Sequence, residues 1–245
     1  PGGNRERLAF VYDHRAVTFT GLAASVNPPR KKSGSEYVPE FTWWRMPYMA
    51  SFSSGNFDFV VIVAHIRWGD KEADRLPEIR SLAEWVDLKR RQDTAEDKDI
   101  LVMGDFNIPS RKGALFDAIT SKGLSIPRAL QKLEFGSDLA KGKRYDQILH
   151  YPQYPKSFTN AGGVLDFFID DAHIAELFPE GLTKLQFTFE LSDHLPLWLQ
   201  VCTDLDSERL DQVIQMSTRQ APERKKSTPQ SKPKSLRRTS SHIRS

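Results

Sequence analysis

Polar side chains that can bind metal ions or move protons follow several apolar runs in this sequence. One such run spans residues 100–103, ends at Gly104, and is followed by Asp105 and Asn107. An acid and an amide two residues apart on a strand point to the same side. The same pattern is equally typical of an Asx turn that closes a strand. The run itself predicts a strand buried on both faces of a sheet.

Three further polar residues, His65, Asp146 and His194, also lie near the ends of apolar runs. A single histidine at such a position is usually structural, but five polar groups at strand ends suggest a shared site. Two imidazoles among carboxylates suit acid–base catalysis near neutral pH. Asp and Asn oxygens suit Mg²⁺, Mn²⁺ or Ca²⁺. The combination indicates metal-assisted hydrolysis of a phosphate ester.

The elements that must position these residues are predicted from hydrophobic periodicity. A strand at 57–66, a helix at 72–92 with one apolar face, and the strand after residue 99 form a strand–helix–strand unit. Many strands with few helices favour an α+β sandwich of mixed sheets over a doubly wound fold. The other predicted elements are strands at 7–12, 16–20, 48–53, 145–150, 164–169, 185–190 and 195–201, helices at 112–121 and 204–216, and an exposed loop at 27–39.

Charge is distributed unevenly along the 245 residues. Residues 217–245 contain nine Lys or Arg and one acid, Glu223, whereas the rest, by difference, carries 26 basic and 31 acidic residues. We therefore predict one domain over 1–203, a possible terminal helix at 204–216 and a disordered basic tail at 217–245. Such a tail either binds a polyanion through counterion release or only keeps the chain in solution.

Composition also bounds the surroundings of the protein. No apolar run approaches the length of a membrane span, so no membrane partner is expected. The one cysteine, Cys202, excludes an intrachain disulfide. The chain begins at Pro1 without an initiator Met, and we expect its amino-terminal part, with any targeting segment, to lie outside this sequence. Localisation and oligomeric state are therefore not predicted.

Three motifs in a fixed order resemble the endonuclease/exonuclease/phosphatase superfamily, and within it the deoxyribonuclease I-like branch. They are Gly-Asp-Phe-Asn at 104–107, Tyr-Asp-Gln-Ile at 145–148 and Ser-Asp-His-Leu-Pro at 192–196. Residues 4–10 resemble the strand whose glutamate, here Glu6, orients a catalytic histidine, and residues 63–65 resemble the strand that carries this histidine, here His65. The resemblance covers residues 4–202.

The resemblance implies a four-layer α/β sandwich, in which helices flank two mixed, mainly antiparallel sheets, here without the amino-terminal strands. It also implies metal-dependent hydrolysis of phosphodiester bonds, with DNA as the partner, an endonuclease as the activity and Mg²⁺ as the metal, Mn²⁺ or Ca²⁺ being possible. His194 would be the general base. The other implied roles are a second catalytic imidazole at His65, supported by Glu6 and Asp146, metal ligands at Asp105, Asn107 and Asp193, and phosphate contacts at Arg45 and Arg67.

One family feature has no counterpart in the sequence. The glutamate that binds metal in a Gln-Glu pair is absent before Glu6, so we expect this chain alone to bind Mg²⁺ poorly and to show little activity. Two alternatives to a nuclease stay open. One is a phosphatase or phosphodiesterase of small esters, such as inositol phosphates or sphingomyelin. The other is an inactive, truncated protein that only binds.

Overall fold

The structure, a computed structural model, describes residues 7–93, 95, 97–151, 158–168 and 171–203. Contacts divide the chain after Asp206 into two units, and all the described residues lie in the first of them. The predicted helix at 204–216 and the predicted basic tail lie outside the described residues.

Nine strands and five helices follow one another along the described part of the chain. In chain order they are β1 (Thr18–Ser25), β2 (Arg30–Ser33), β3 (Glu36–Pro39), β4 (Tyr48–Ser54), β5 (Phe57–Val63), α1 (Glu72–Arg91), β6 (Ile100–Asp105), α2 (Ala114–Thr120), α3 (Arg128–Gln131), β7 (Asp146–His150), β8 (Phe158–Val164), α4 (Asp171–Leu177), α5 (Lys184–Glu190) and β9 (Leu197–Val201).

A five-stranded mixed sheet forms the centre of this unit, with the strand order β1-β4-β5-β6-β7. All of its neighbouring strands are antiparallel except β5 and β6. The parallel pair follows from the predicted strand–helix–strand unit, because α1 carries the chain back to the edge at which β5 began. A mainly antiparallel sheet with flanking helices confirms the predicted α+β class. The remaining strands form two separate pairs, β2-β3 and β8-β9.

The main core lies on one face of this sheet, where α1 packs. Alternate residues of β5, among them Val60 and Ile62, point to that face and pack with Ile79 and Leu82 of the helix. All four side chains are at most 2% exposed. Because burying such a side chain contributes about 1.5–3 kcal/mol, this layer holds the central strands of the sheet against α1.

The opposite face of the sheet meets the segment before β1. Val61 of β5 and Phe52 of β4 point to this face, and Phe10 packs edge-on against Phe52 at 5.6 Å. Residues 7–12 were predicted as a strand, but they form no regular element. Their apolar side chains pack on the sheet while their backbone pairs with no strand of it, so apolar content alone was misleading here.

Three further predictions from the sequence are wrong. Residues 164–169 were predicted as a strand, but β8 ends at Val164, and Asp166 Oδ1 accepts from the backbone N–H of Phe168 in the turn that follows. Residues 185–190, predicted as a strand, form helix α5, because Thr183 and Gln186 cap its first turn reciprocally. The alternation of apolar and polar residues there mimicked a strand. Residues 27–39 were predicted as a loop but contain the exposed β2-β3 hairpin. None of the described helices combines the length and the apolarity that crossing a membrane would require.

Candidate active site

Chain direction brings three of the predicted polar residues to one edge of the five-stranded sheet. Strands β5 and β6 run parallel, so His65, after β5, and Asp105, at the end of β6, meet at the same edge. Strand β7 runs antiparallel to β6 and therefore starts there. Its first residue, Asp146, is the direct neighbour of Asp105 across the ladder. The predicted convergence of strand ends thus has a topological cause.

The approach of β5 to β6 at this edge depends on Gly104. Its φ of +134° lies in a region that L side chains rarely adopt. A Cβ atom added at Gly104 would lie 2.1 Å from the carbonyl oxygen of Ala64, which is far inside van der Waals contact. The glycine therefore allows the chain after β5 to lie directly against β6, one residue before His65.

His194 is held by Asp146 at the start of β7. Its Nδ1 lies 2.7 Å from Asp146 Oδ2, and the same oxygen accepts a hydrogen bond of 2.6 Å from Ser137 Oγ. The hydrogen bond that the His194 ring donates to Asp146 raises the pKa of His194 to about 9, and the charges of Asp146, Asp105 and Asp193 act in the same direction, although burial opposes them. The pair thus stabilises the imidazolium form of His194.

Asp105 and His65 form a second pair beside the first. His65 Nε2 lies 3.4 Å from Asp105 Oδ2, and the side chains are 27% and 19% exposed. Burial raises the pKa of Asp105 above its ordinary value, and the nearby charge of Asp146 raises it further. The backbone N–H of Asn107 opposes this by donating to Asp105 Oδ1 at 2.8 Å. The two carboxylates therefore repel each other unless a cation or proton lies between them.

Asn107 is fixed by three contacts in a buried position. Its Nδ2 donates to the carbonyl oxygen of Ile66 at 2.7 Å, and its own carbonyl oxygen accepts from Arg75 Nη1 at 2.5 Å. The residue is 5% exposed and has a φ of +53°, a left-handed conformation that asparagine tolerates better than most residues. The backbone N–H of Asn107 also makes the Asx-turn contact to Asp105 that one interpretation of this motif predicted.

Asp105, Asp146 and His194 are close enough to surround one ion. One ligand atom from each residue lies within 4.8 Å of the others. Two carboxylates form the hard-oxygen part of this group, and such ligands suit Mg²⁺, Mn²⁺ or Ca²⁺. A divalent cation there would also offset the repulsion between the carboxylates, so the donor chemistry fits a metal.

Comparison with known proteins gives one match among the curated sequences. Over 108 residues, 43% of this chain and 27% of the other protein, the chain is 31% identical to a deoxyribonuclease from Thioalkalivibrio sp.. The matched stretch thus spans about a quarter of that relative. No protein-family model matches the chain.

Solved structures similar to this chain include two from Bacteroides. A mannosyl-6-phosphatase of B. thetaiotaomicron is 17% identical, with 78% of this chain and 68% of that one covered and a TM-score of 0.48. An endonuclease/exonuclease/phosphatase from B. vulgatus is 15% identical, with 77% and 67% covered and a TM-score of 0.47.

Residues of the three predicted motifs, Asp105, Asp146 and His194, meet within 4.8 Å of one another at the sheet edge described above. The matched relative carries the name deoxyribonuclease, which is the branch that the three motifs resemble.

The other predicted site residues lie at different distances from that centre. Asp193 is exposed and stands outside the group of three, although its charge acts on His194. Arg67 is half-buried, with its guanidinium 4.9 Å from the centre of the Trp44 ring. Arg45 is half-buried as well, and its charge acts on the buried Glu78. Glu6 lies outside the described residues.

Sequence reasoning missed several residues that position the superfamily motifs. Ser137 sits in a loop with no pattern to mark it. Arg75 and Glu78 look like surface charges of an amphipathic helix, yet they are 4% and 9% exposed. A signal was available, because residues 75, 78, 79, 82 and 86 lie on one helical stripe. Charges on an otherwise apolar stripe indicate buried polar partners.

Proposed function

We propose that this protein is a metal-dependent phosphodiesterase that cleaves DNA, as an endonuclease, with His194 as the general base. The observation that carries the proposal is the pairing of His194 with Asp146 at 2.7 Å beside the pair of His65 and Asp105 at 3.4 Å. Two imidazoles and two carboxylates at one half-buried edge provide both proton transfer and a place for a cation.

Asp105 and Asp146 would hold the metal, with Mg²⁺ as the expected ion. Asn107 and Asp193 stay predicted ligands. In Asn107 the atom that would bind the metal is Oδ1, because Nδ2 of the same amide already donates a hydrogen bond to the carbonyl oxygen of Ile66. When bound, the cation would neutralise charge that builds up on the phosphate during cleavage.

The orientation of His194 suits the role of a base. Because its Nδ1 faces Asp146, the opposite ring nitrogen, Nε2, is the one that would accept a proton from an attacking water. With a pKa of about 9, His194 does so in the fraction of molecules whose ring is neutral, and this fraction grows as the pH rises. Asp146 then stabilises the imidazolium that results. His65 would contribute a second imidazole that donates a hydrogen bond to the phosphate or the leaving group. Arg45 and Arg67 would contact flanking phosphates, as the family resemblance suggests.

Plasmid cleavage with and without EDTA tests this proposal. Because the metal-binding glutamate of the family has no counterpart in this sequence, we expect the Mg²⁺-dependent nicking by the wild type to be weak. His194→Ala should lower it by about 100-fold or more, because positioned acid–base groups contribute about 10²–10⁴-fold. His14→Ala, which removes an exposed histidine in the turn before β1, is the matched control and should cleave normally. Full activity of His194→Ala, or full activity in EDTA, would contradict the assignment. Release of phosphate from inositol phosphates without any DNA cleavage would favour the small-ester alternative.

A further inference from the structure

Two exposed tryptophans lie in or against the segment that follows His65 and take no part in the proposed proton transfers. Trp44 is 41% exposed and Trp68 is 53% exposed. The Trp68 ring meets the Tyr145 ring edge-to-face at 5.3 Å, and Tyr145 stacks on His194 at 5.8 Å. A continuous line of rings therefore leads from the general base to the solvent. We call Trp44, Trp68 and Tyr145 the aromatic platform.

Each tryptophan of the aromatic platform carries a guanidinium over its ring. Arg75 lies 4.3 Å from the centre of the Trp68 ring, and Arg67 lies 4.9 Å from that of Trp44. Arg75 is only 4% exposed, so it covers the protein side of Trp68 and leaves the exposed half of that residue to solvent. Cation–π pairs of this kind hold a ring in one orientation and place positive charge next to it.

Buried charges on α1 tie the platform to the catalytic edge. Arg75 donates to the carbonyl oxygen of Trp68 and, at 2.5 Å, to that of Asn107. Glu78 accepts from the backbone N–H of Trp44 at 2.9 Å and from that of Arg67 at 3.4 Å. Each of these two side chains therefore forms hydrogen bonds with backbone groups of two separate segments. The rings are thus ordered before any ligand arrives, which lowers the entropy cost of binding.

From these contacts we infer that the aromatic platform stacks unpaired bases and leads single-stranded nucleic acid into the active site. This inference rests on the proposed function, since it concerns the substrate of the same site. Exposed rings next to arginines suit single strands, whose bases stack on aromatic faces while cations track the phosphates. Bases inside a duplex already stack on each other and offer no free face. The platform therefore predicts a preference for single-stranded or frayed DNA.

Binding of a fluorescein-labelled oligothymidylate, followed by anisotropy in EDTA, tests the inference without cleavage. A duplex of the same length is the second probe. We expect the wild type to bind the single strand more tightly than the duplex. Trp68→Ala should raise the Kd for the single strand about tenfold, within the range for loss of one base–aromatic stack. Its Kd for the duplex should change less than about twofold, since no base is stacked there. Trp68→Phe, which keeps a ring, should recover most of the affinity.

Trp198→Ala is the matched control. Trp198 is similarly exposed, at 47%, but it lies on β9, where it pairs with Gly163. Its removal should leave the single-strand Kd unchanged. Thermal unfolding of each variant shows whether the fold is intact, and Trp68→Phe provides the comparison if the alanine variant unfolds.

Two results would overturn the inference. One is a single-strand Kd for Trp68→Ala within about twofold of the wild type, and the other is an equal loss of affinity for both probes. Hydrolysis of bis(p-nitrophenyl) phosphate by the wild type, measured in parallel with Mg²⁺, separates this from the proposed function. A protein that hydrolyses neither this ester nor DNA, but loses single-strand binding in Trp68→Ala, would refute the nuclease and uphold the platform.

Discussion

Asp146 is the residue on which the chemistry of His194 depends most directly. In Asp146→Asn the carboxylate charge is lost, so the pKa of His194 should fall from about 9 toward its ordinary 6.5. DNA cleavage should fall by about 100-fold or more, because the amide no longer stabilises the imidazolium and the proposed metal site loses the charge of one ligand. Histidine titration by NMR in EDTA measures the first effect, and plasmid nicking with Mg²⁺ measures the second.

Ser137→Ala is the matched control for that residue. It removes two hydrogen bonds, one donated to Asp146 Oδ2 and one accepted from the backbone N–H of Asp146, but leaves the carboxylate and its contact with His194 in place. We expect a small change in the pKa of His194 and a loss of cleavage of only a few-fold, in line with about 1 kcal/mol for the one hydrogen bond that reaches the carboxylate. An unshifted pKa in Asp146→Asn would contradict the cause assigned to the raised value.

Single residues of this site were predictable where they followed apolar runs. His65, Asp105 and Asp146 stand out because strand ends are easy to find by hydrophobicity. Ser137 could not be found, since its role comes from a hydrogen bond across a loop that no local pattern encodes. Arg75 and Glu78 could be recognised only as charged residues on the apolar stripe of the predicted helix. The roles assigned to the site residues stay predictions until the variants above are measured.

Among the contacts between elements, the close approach of the chain after β5 to Gly104 of β6 is the most sensitive to substitution. Gly104→Ala places a Cβ atom 2.1 Å from a backbone oxygen and strains a residue with a φ of +134°. Overpacking and backbone strain each cost about 1–3 kcal/mol, so we expect unfolding to become easier by about 2 kcal/mol or more. Urea denaturation gives this difference directly.

Gly142→Ala is the control for the urea denaturation of Gly104→Ala. A Cβ atom there meets nothing within 4 Å, so this variant should keep the stability of the wild type to within about 0.5 kcal/mol. Similar denaturation midpoints for Gly104→Ala and the wild type would mean that the two strands separate at no cost, against the close approach described above.

Elements were predicted well where tertiary packing agreed with local pattern. Helix α1 and strands β4 to β7 combine periodicity with burial, and their predicted bounds lie within a few residues of the observed ones. Helix α5 was mistaken for a strand because Leu185, Phe187 and Phe189 alternate with polar residues, although only Phe187 of these three is buried. The reciprocal cap between Thr183 and Gln186 decides for a helix, and that capping-box signal was present in the sequence.

For the whole domain, the sequence could indicate the five strands of the central sheet but not their order in it. The meeting of Asp105 with Asp146 requires β7 to lie antiparallel beside β6, a pairing that depends on contacts between residues about forty positions apart. Hydrophobic pattern carries no information on such partners. The family resemblance carried that information, and it is why the convergence at the sheet edge could be expected at all.

Acid should destabilise the whole domain partly through His150, which joins two of its layers. The ring lies 3.9 Å from that of Phe158 on β8 and is 6% exposed, and burial lowers the pKa of His150 below its ordinary 6.5. The folded state therefore binds this proton less readily than the unfolded state does. Stability from this group is complete above pH 6.5 and declines below it, by at most about 1.4 kcal/mol per pH unit.

His150→Phe keeps a ring between the layers and removes the titration. Between pH 7.5 and pH 5 we expect its melting temperature to fall less than that of the wild type, whatever its value at pH 7.5. His14→Ala, which removes an exposed histidine, should show the slope of the wild type. Because the wild type and His150→Phe share all other titrating groups, the difference between their slopes isolates His150. Parallel slopes for His150→Phe and the wild type would mean that the buried ring accepts a proton without weakening the contact between β7 and β8.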